Sequence, residues 1–278
     1  MSMLRWRSML FAPADHAERC AKAARAGADA VILDLEDAVA PGAKPAARAA
    51  LAGAVADVRA QGVAATVRIN APWMMAVEDI RAAAAAGGDA IVVPKAECPH
   101  DLGVIAAMVA ELRGEALPII ALIESPLGVA RAQAMADVPC VAGLALGTED
   151  FSLAMGVEPT TAVLDLPARQ LAMAAAGREL MALAVPFSIA RFREEEAYRA
   201  IAGEAAAYGV NGAICIHPKQ VAVANAVFGL SPAAREEAER IWAAWDEARA
   251  QGLSVVTLDG RMIDLPVAER ARKALARP

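Results

Sequence analysis

The sequence predicts an α/β chain of the TIM (β/α)8 barrel class, followed by a helical and hairpin extension. Three observations lead there. Eight short apolar runs alternate with Ala-rich helical stretches, one strand–helix unit after another. The runs are continuously apolar rather than alternating, as strands are when helices cover both faces of a parallel sheet. Finally, no G-x-G-x-x-G follows the first run, so the competing open, doubly wound sheet lacks its dinucleotide fingerprint.

Taken in order, Arg7 to Ala12 reads as the first strand, and a helix from about Ala17 to Ala26 stops at Gly27. Ala28 to Leu33 is the second strand and runs into Asp34, Glu36 and Asp37. The Pro41-Gly42 turn leads to a helix over about Lys44–Gln61, and Ala65 to Arg68 forms strand three. A helix over Val77–Ala86 precedes strand four, Ala90 to Val93, which ends in Pro94 and Lys95. Strand five, Pro118 to Ile123, ends in Glu124, and a helix begins near Ser125. Strand six, Val141 to Leu146, ends in Glu149 and Asp150. After a long helix from about Leu166, Val185 to Ile189 is expected to be strand seven, and Gly212 to Ile216 is strand eight, ending in His217. Residues 1–230 thus form the barrel and 231–278 an extension: a polar helix near Pro232–Gln251, a hairpin turning at Asp259-Gly260, and a last helix from about Pro266.

Composition narrows the function. At 278 residues and 58% hydrophobic, with Ala dominant and few aromatics, the chain can pack helices closely against a parallel core. No apolar run reaches the ~18 residues a membrane span needs. The start, MSMLRWRSMLFAPAD, has arginines but no long apolar region, so it reads as a strand rather than a signal peptide. Cys20, Cys98, Cys140 and Cys215 form no C-x-x-C pair, which argues against a disulfide framework or a zinc site and fits a reducing cytoplasm. A net charge of -6 excludes a general nucleic-acid binder but leaves room for a phosphorylated ligand on local cations.

Acids at the carboxyl ends of barrel strands are where such folds place their chemistry. Glu124 and Asp150, on adjacent strand ends, offer oxygen ligands only, which suits a hard divalent cation such as magnesium. The alternative is that one caps a helix and the other pairs with an arginine. The crowded acids of Leu33-Asp-Leu-Glu-Asp37 raise one another's pKa unless a cation or arginine is near, or form an ordinary solvated loop. Arg68 ends an apolar strand and needs either those acids or an anionic substrate. Lys44 and Arg48 lie four apart on one helix face, able to receive phosphates or simply to meet solvent. His217 stands alone, and no Ser-His-Asp or Cys-His spacing is recognisable.

Together these segments resemble the citrate lyase β-subunit-like branch of the HpcH/HpaI aldolase superfamily, the CoA-ester lyases. The resemblance covers nearly the whole chain: Arg7-Ser-Met-Leu-Phe11, Leu33-Asp-Leu-Glu-Asp-Ala-Val39, Lys44 with Arg48, Val67-Arg-Ile-Asn70, Pro94-Lys95, Ala121-Leu-Ile-Glu124 and Gly147-Thr-Glu-Asp-Phe151, then His217-Pro218, Gln220 and Asp259-Gly-Arg-Met-Ile-Asp264. It implies a TIM barrel with Mg2+ on Glu124 and Asp150. Arg68 would contact the oxo-acid carboxylate or the enolate oxygen. Glu36 and Asp37 would lie near the metal waters and orient Arg68. The first-strand segment, with Arg7 and Phe11, together with Lys44 and Arg48, would hold the CoA moiety. Asp264 matches an acid supplied by a neighbouring subunit of a homotrimer or hexamer and would handle the proton at the enolate carbon. Alternatively, Asp264 N-caps the last helix, since Pro266 falls in its first turn. Two departures from the family pattern, Ala14 where Gly often follows the first-strand Pro, and Ser188-Ile-Ala-Arg191 without an expected Asp, bear on substrate identity.

The implied activity is Mg-dependent cleavage or condensation of a β-hydroxyacyl-CoA such as malyl-CoA, citramalyl-CoA or citryl-CoA, with an oxo-acid and an acyl-CoA as partners. The alternatives are a citrate lyase β subunit acting on carrier-bound citryl, a malyl-CoA thioesterase, or a ligand-binding barrel without turnover.

Overall fold

In the computed structural model the described residues are 4–276, so the first three residues of the segment read against a signal peptide, and the last two of the extension, lie outside them. The chain divides into two units between Val227 and Phe228. The first unit contains β1 (Ser8–Pro13), α1 (Ala17–Ala24), β2 (Ala30–Asp34), α2 (Lys44–Arg59), β3 (Ala64–Arg68), α3 (Trp73–Ala86), β4 (Ala90–Val93) and α4 (Pro99–Arg113). It continues with β5 (Ile119–Ile123), the short α5 (Pro126–Ala130) and α6 (Ala132–Ala136), β6 (Val141–Leu146), α7 (Thr148–Met155), α8 (Thr161–Ala176), β7 (Met181–Leu183), α9 (Glu195–Ala207) and β8 (Ala213–Cys215). α10 (Pro218–Phe228) runs up to the boundary.

All eight strands pair in parallel in the order β7-β6-β5-β4-β3-β2-β1-β8. A single parallel bridge, Leu183 to Gly212, joins the two edges, so the sheet is nearly closed into an α/β barrel. Its interior is filled by Met9, Ala30, Ile32, Val92, Ile120, Leu122, Ala145, Met181 and Leu183, with Leu4, Trp6 and Ile214 packed against them.

The expected boundaries hold to within a residue or two for seven of the strands, and strand seven is the correction. It runs over Met181–Leu183, not Val185 to Ile189. Pro186 sits inside the expected run and has no N–H to give a ladder. The chain instead turns tightly around it, with the Phe187 amide donating to the Val185 carbonyl at 2.9 Å. The preceding helix starts at Thr161 rather than near Leu166.

The second unit has its own small core. α11 (Pro232–Ala250) packs with the hairpin of β9 (Val256–Leu258) and β10 (Arg261–Ile263) and with α12 (Leu265–Leu275), around Trp245, Ile263 and Ala268. Asp259 and Gly260 both hold positive φ (50° and 76°), the pairing that a two-residue hairpin turn with the strands' own twist requires. Val256, Leu258 and Ile263 therefore serve this core, while Val255, Met262 and Leu265 stay exposed.

The seam yields a test. A Cβ on Gly212 would come within 2.6 Å of both Leu183 Cδ2 and the Trp6 carbonyl. Gly212→Ala is expected to cost about 1–3 kcal/mol by overpacking, read as a lower urea midpoint with faster hydrogen exchange confined to β7 and β8. An unchanged midpoint would show that the seam tolerates a side chain.

Candidate active site

Side chains alternate in and out along a strand, and that parity builds the site. On β2, Ala30 and Ile32 face the barrel core, so Asp34 does too; on β5, Ile120 and Leu122 face it, so Glu124 follows two residues later. Ala64 and Arg68 share the same face of β3. Polar groups thus replace apolar ones one step above the core, at the carboxyl mouth. A cavity of about 340 Å³ opens there, lined by Phe11, Asp34, Arg68, Glu124, Gly147 and Asp150 among others.

Asp34 and Arg68 are ladder partners, and both are buried. Arg68 Nε donates to Asp34 Oδ1 at 2.7 Å and Nη2 to Oδ2 at 2.6 Å, a bidentate fork. Arg68 Nη1 lies 3.0 Å from Glu36 Oε2. Burial works to lower the Arg68 pKa, but the Asp34 hydrogen bond and charge, with Glu36, outweigh it and raise it above the ordinary value. The Arg68 guanidinium also lies over the Phe11 ring, 4.6 Å from its centroid. Asp34 further accepts from the amides of Glu36 and Ala38, both at 2.9 Å, and so shapes the loop carrying Glu36. Arg68 is therefore oriented by Asp34 and Glu36. Asp37, assigned that task from the sequence, is exposed at the cavity rim.

Glu124 is 6% exposed, and burial is the main reason its pKa is pushed up to about 8; Glu36 and Asp150 add to the rise, while the Lys95 amide and Arg68 oppose it. Glu124 Oε2 accepts the Lys95 amide at 2.6 Å, and Lys95 holds φ +50°, a left-handed turn that aims its N–H at the acid. On the other side, a Cβ on Gly147 would fall 2.5 Å from Glu124 Cγ, so only glycine leaves room for the carboxylate. Ser125, not Glu124, caps the next helix, accepting from the Gly128 amide. Asp150, in the first turn of α7, makes no hydrogen bond or ion pair among the described residues. Glu124 Oε1 and the Asp150 carboxylate are therefore uncommitted acceptors facing one cavity.

Charge accounting points the same way. Asp34 and Glu36 are paired with Arg68 and Lys95, whereas Glu124 and Asp150, with Asp37 and Glu149 in the same lining, have no cation in contact, an acid surplus. A divalent cation would neutralise it. Among the described residues no group of three or more His, Cys, Asp or Glu forms a metal cage. An ion on Glu124 and Asp150 would thus take its remaining ligands from water or substrate, which is how magnesium is usually bound.

Three residues expected to hold the CoA moiety have protein partners of their own. Arg7 lies before β1, and its backbone N–H, Nε and Nη2 all bind Asp29, just before β2. That is the amino end of the barrel, opposite the mouth. Lys44 spends its three donors on the carbonyls of Leu35 and Glu36 and on Asn70 Oδ1. Arg48 is held by buried Asp79 and by Glu78. Asp79 in turn accepts from the Asn70 amide and side chain. Lys44 and Arg48 thus brace the loops after β2 and β3. Asp264 N-caps α12 through the Val267 amide at 3.1 Å, as its spacing from Pro266 allowed. Asp34, Lys95, Gly147 and Asp79 were not singled out for these roles from the sequence. Only the strand-end parity of Asp34 signalled its part.

The fold and this mouth define a barrel enzyme built around an acid cluster and a buried arginine. The chain belongs to the HpcH/HpaI aldolase/citrate lyase family, which it matches over residues 7–218. It is 35% identical to a citrate lyase subunit beta-like protein of Deinococcus radiodurans over 97% of this chain and 96% of that one. To a (3S)-malyl-CoA thioesterase of Cereibacter sphaeroides it is 34% identical (98% and 94% covered), and to that organism's L-malyl-CoA/beta-methylmalyl-CoA lyase 32% (95% and 92%). The solved CitE of Mycobacterium tuberculosis, in complex with magnesium, acetoacetate and coenzyme A, superposes with a TM-score of 0.73 at 32% identity over 98% of both chains.

A cation resting on Glu124 would need that acid deprotonated, so its binding would displace a proton. Mg2+ affinity is expected to fall about tenfold per pH unit below about 8 and to level off above it. Calorimetric titrations at several pH values would check this, and a flat profile from pH 6 to 9 would contradict it.

Proposed function

We propose that this chain is a magnesium-dependent carbon–carbon lyase that cleaves, or in reverse forms, a β-hydroxyacyl-CoA such as malyl-CoA, citramalyl-CoA or citryl-CoA, releasing an oxo-acid and an acyl-CoA. The observation that carries this is the pair of uncommitted carboxyl groups, Glu124 and Asp150, beside a buried, forked arginine at the barrel mouth. Magnesium, held by Glu124 and Asp150, would supply a Lewis acid that lowers the pKa of the substrate hydroxyl and polarises the future carbonyl. The solved CitE complex with magnesium, acetoacetate and coenzyme A supports both the ion and the ligand class.

Of the five N–H donors of Arg68, two are hydrogen-bonded to Asp34, and a third faces Glu36 as an ion pair. The remaining two serve the cavity, where they offset charge on the oxo-acid carboxylate or the enolate oxygen. Because Asp34 and Glu36 fix the fork beforehand, no reorganisation is needed as that charge develops. Phe11 closes one side of the guanidinium and keeps water from it. Arg68→Lys keeps the charge but loses the planar fork. A drop in kcat of about 10²-fold is expected, as for loss of one oxyanion donor. A variant within twofold of wild type would make Arg68 a purely structural group.

The proton at the enolate carbon needs a carboxylate that is not already committed to Arg68 or Lys95. We assign it to the partner subunit's Asp264, in a homotrimer or a multiple of one. Two features support this. The helix cap uses only one Asp264 oxygen, and exposed Val255, Met262 and Leu265 flank it as an apolar surface suited to a neighbour. Arg68→Ala and Asp264→Asn should each be nearly inactive alone. Mixed oligomers of the two should regain activity, because some interfaces pair an intact Arg68 with an intact Asp264. Verified mixed oligomers that stay dead would exclude a shared site.

A thioesterase acting on malyl-CoA is the second reading, favoured by one observation: the chain is as similar to the named thioesterase as to the named lyase. Free oxo-acid released from the CoA ester supports the lyase, and free CoA thiol the thioesterase. The four unpaired cysteines favour a reducing cytoplasm as its place of work, and no helix among the described residues is long and apolar enough to cross a membrane.

A further inference from the structure

Lys95 stands out among the groups at the mouth because it does two things at once. It adopts φ +50°, which costs a non-glycine residue conformational energy unless the surroundings enforce it. The turn sends its amide to Glu124 Oε2 at 2.6 Å and its side chain to Glu36, where Lys95 Nζ lies 2.7 Å from Oε1. Glu36 Oε2 faces Arg68 at 3.0 Å. Oε1 is thus hydrogen-bonded by Lys95, while Oε2 faces Arg68 as an ion pair without a hydrogen bond, in a buried acid close enough to Glu124 to raise its pKa.

Without Lys95, Glu36 would be a further buried carboxylate close to Glu124 with neither oxygen hydrogen-bonded by a side chain. A hard cation gathers such oxygens readily, and each protein carboxylate it takes removes a position open to substrate. We infer that Lys95 is a positioning residue that keeps Glu36 out of the metal's coordination sphere, so that the cation rests on Glu124 and Asp150 alone and keeps its remaining positions for the oxo-acid. This rests on the metal reading above. It adds that the two-carboxylate site is maintained actively, by a lysine that need not touch the metal or the substrate.

The experiment uses Mn2+ alone, with no substrate, on the full-length protein, and reads its dissociation constant together with the water-proton relaxation of the bound ion, which reports how many waters it keeps. Lys95→Met removes the ammonium and leaves the Lys95 amide in place. The variant is expected to bind Mn2+ about tenfold more tightly, because one opposing charge is gone and one ligand is gained. Its relaxation enhancement should fall, because Glu36 has displaced water. Lys95→Arg should restore both values toward wild type. Adding Glu36→Gln to Lys95→Met should restore the hydration. A merely structural lysine would weaken binding or leave it alone, and Lys95→Met with unchanged affinity and hydration overturns the assignment. Should Lys95→Met fail to fold, Glu36→Gln by itself decides: it must leave the hydration of bound Mn2+ unchanged, and extra water on the ion would mean Glu36 was already a ligand. Wild-type protein that binds no Mn2+ would sink the metal reading itself, whereas binding with unmoved variants sinks only the role of Lys95.

Discussion

The buried fork between Asp34 and Arg68 is the contact on which the mouth depends. Each is the last residue of its strand, and the two are ladder partners, so the pair costs little ordering entropy beyond what the sheet already fixes. Removing either partner would leave an uncompensated buried charge, a penalty of about 3–5 kcal/mol. The fork does more than stabilise, because Asp34 also receives two amides of the following loop. The position of Glu36, and through it that of Lys95, is thus tied to the same carboxylate.

From that contact the acids separate into two kinds. Asp34 and Glu36 are neutralised by protein cations and act as supports. Glu124 and Asp150 retain uncommitted oxygens. Burial, two acidic neighbours and the close approach of Gly147 hold Glu124 in a place where the ionised form is unfavourable until a cation arrives. Such mismatch is typical of sites completed by a ligand rather than of structural ion pairs.

A second layer holds this arrangement from outside. Asp79 joins Arg48 to Asn70, and Asn70 joins Lys44, whose ammonium grips the two carbonyls just after β2. The same lysine and arginine that a helix-face pattern offers to phosphates are thus used to fix the loops that carry Glu36 and follow Arg68. Spacing on a helix says which side chains share a face, but what that face meets is settled by the neighbouring helix and loop.

The sequence by itself determined eight parallel strand–helix units, because continuous apolar runs at a regular spacing must be buried on both faces, and it placed Arg68 and Glu124 at strand ends and Asp150 just beyond one, where local order in the chain is enough to locate them. It misplaced strand seven because an apolar run around Pro186 looks like a strand until hydrogen bonding is counted. Only the tertiary structure decided which acid orients Arg68, why Gly147 must be a glycine, that Arg7 belongs to the opposite end, and that Lys95 grips Glu36. Those facts join residues 22 to 59 positions apart, and their cause is the closing of the sheet, which brings strand ends together in an order that no short stretch of sequence records.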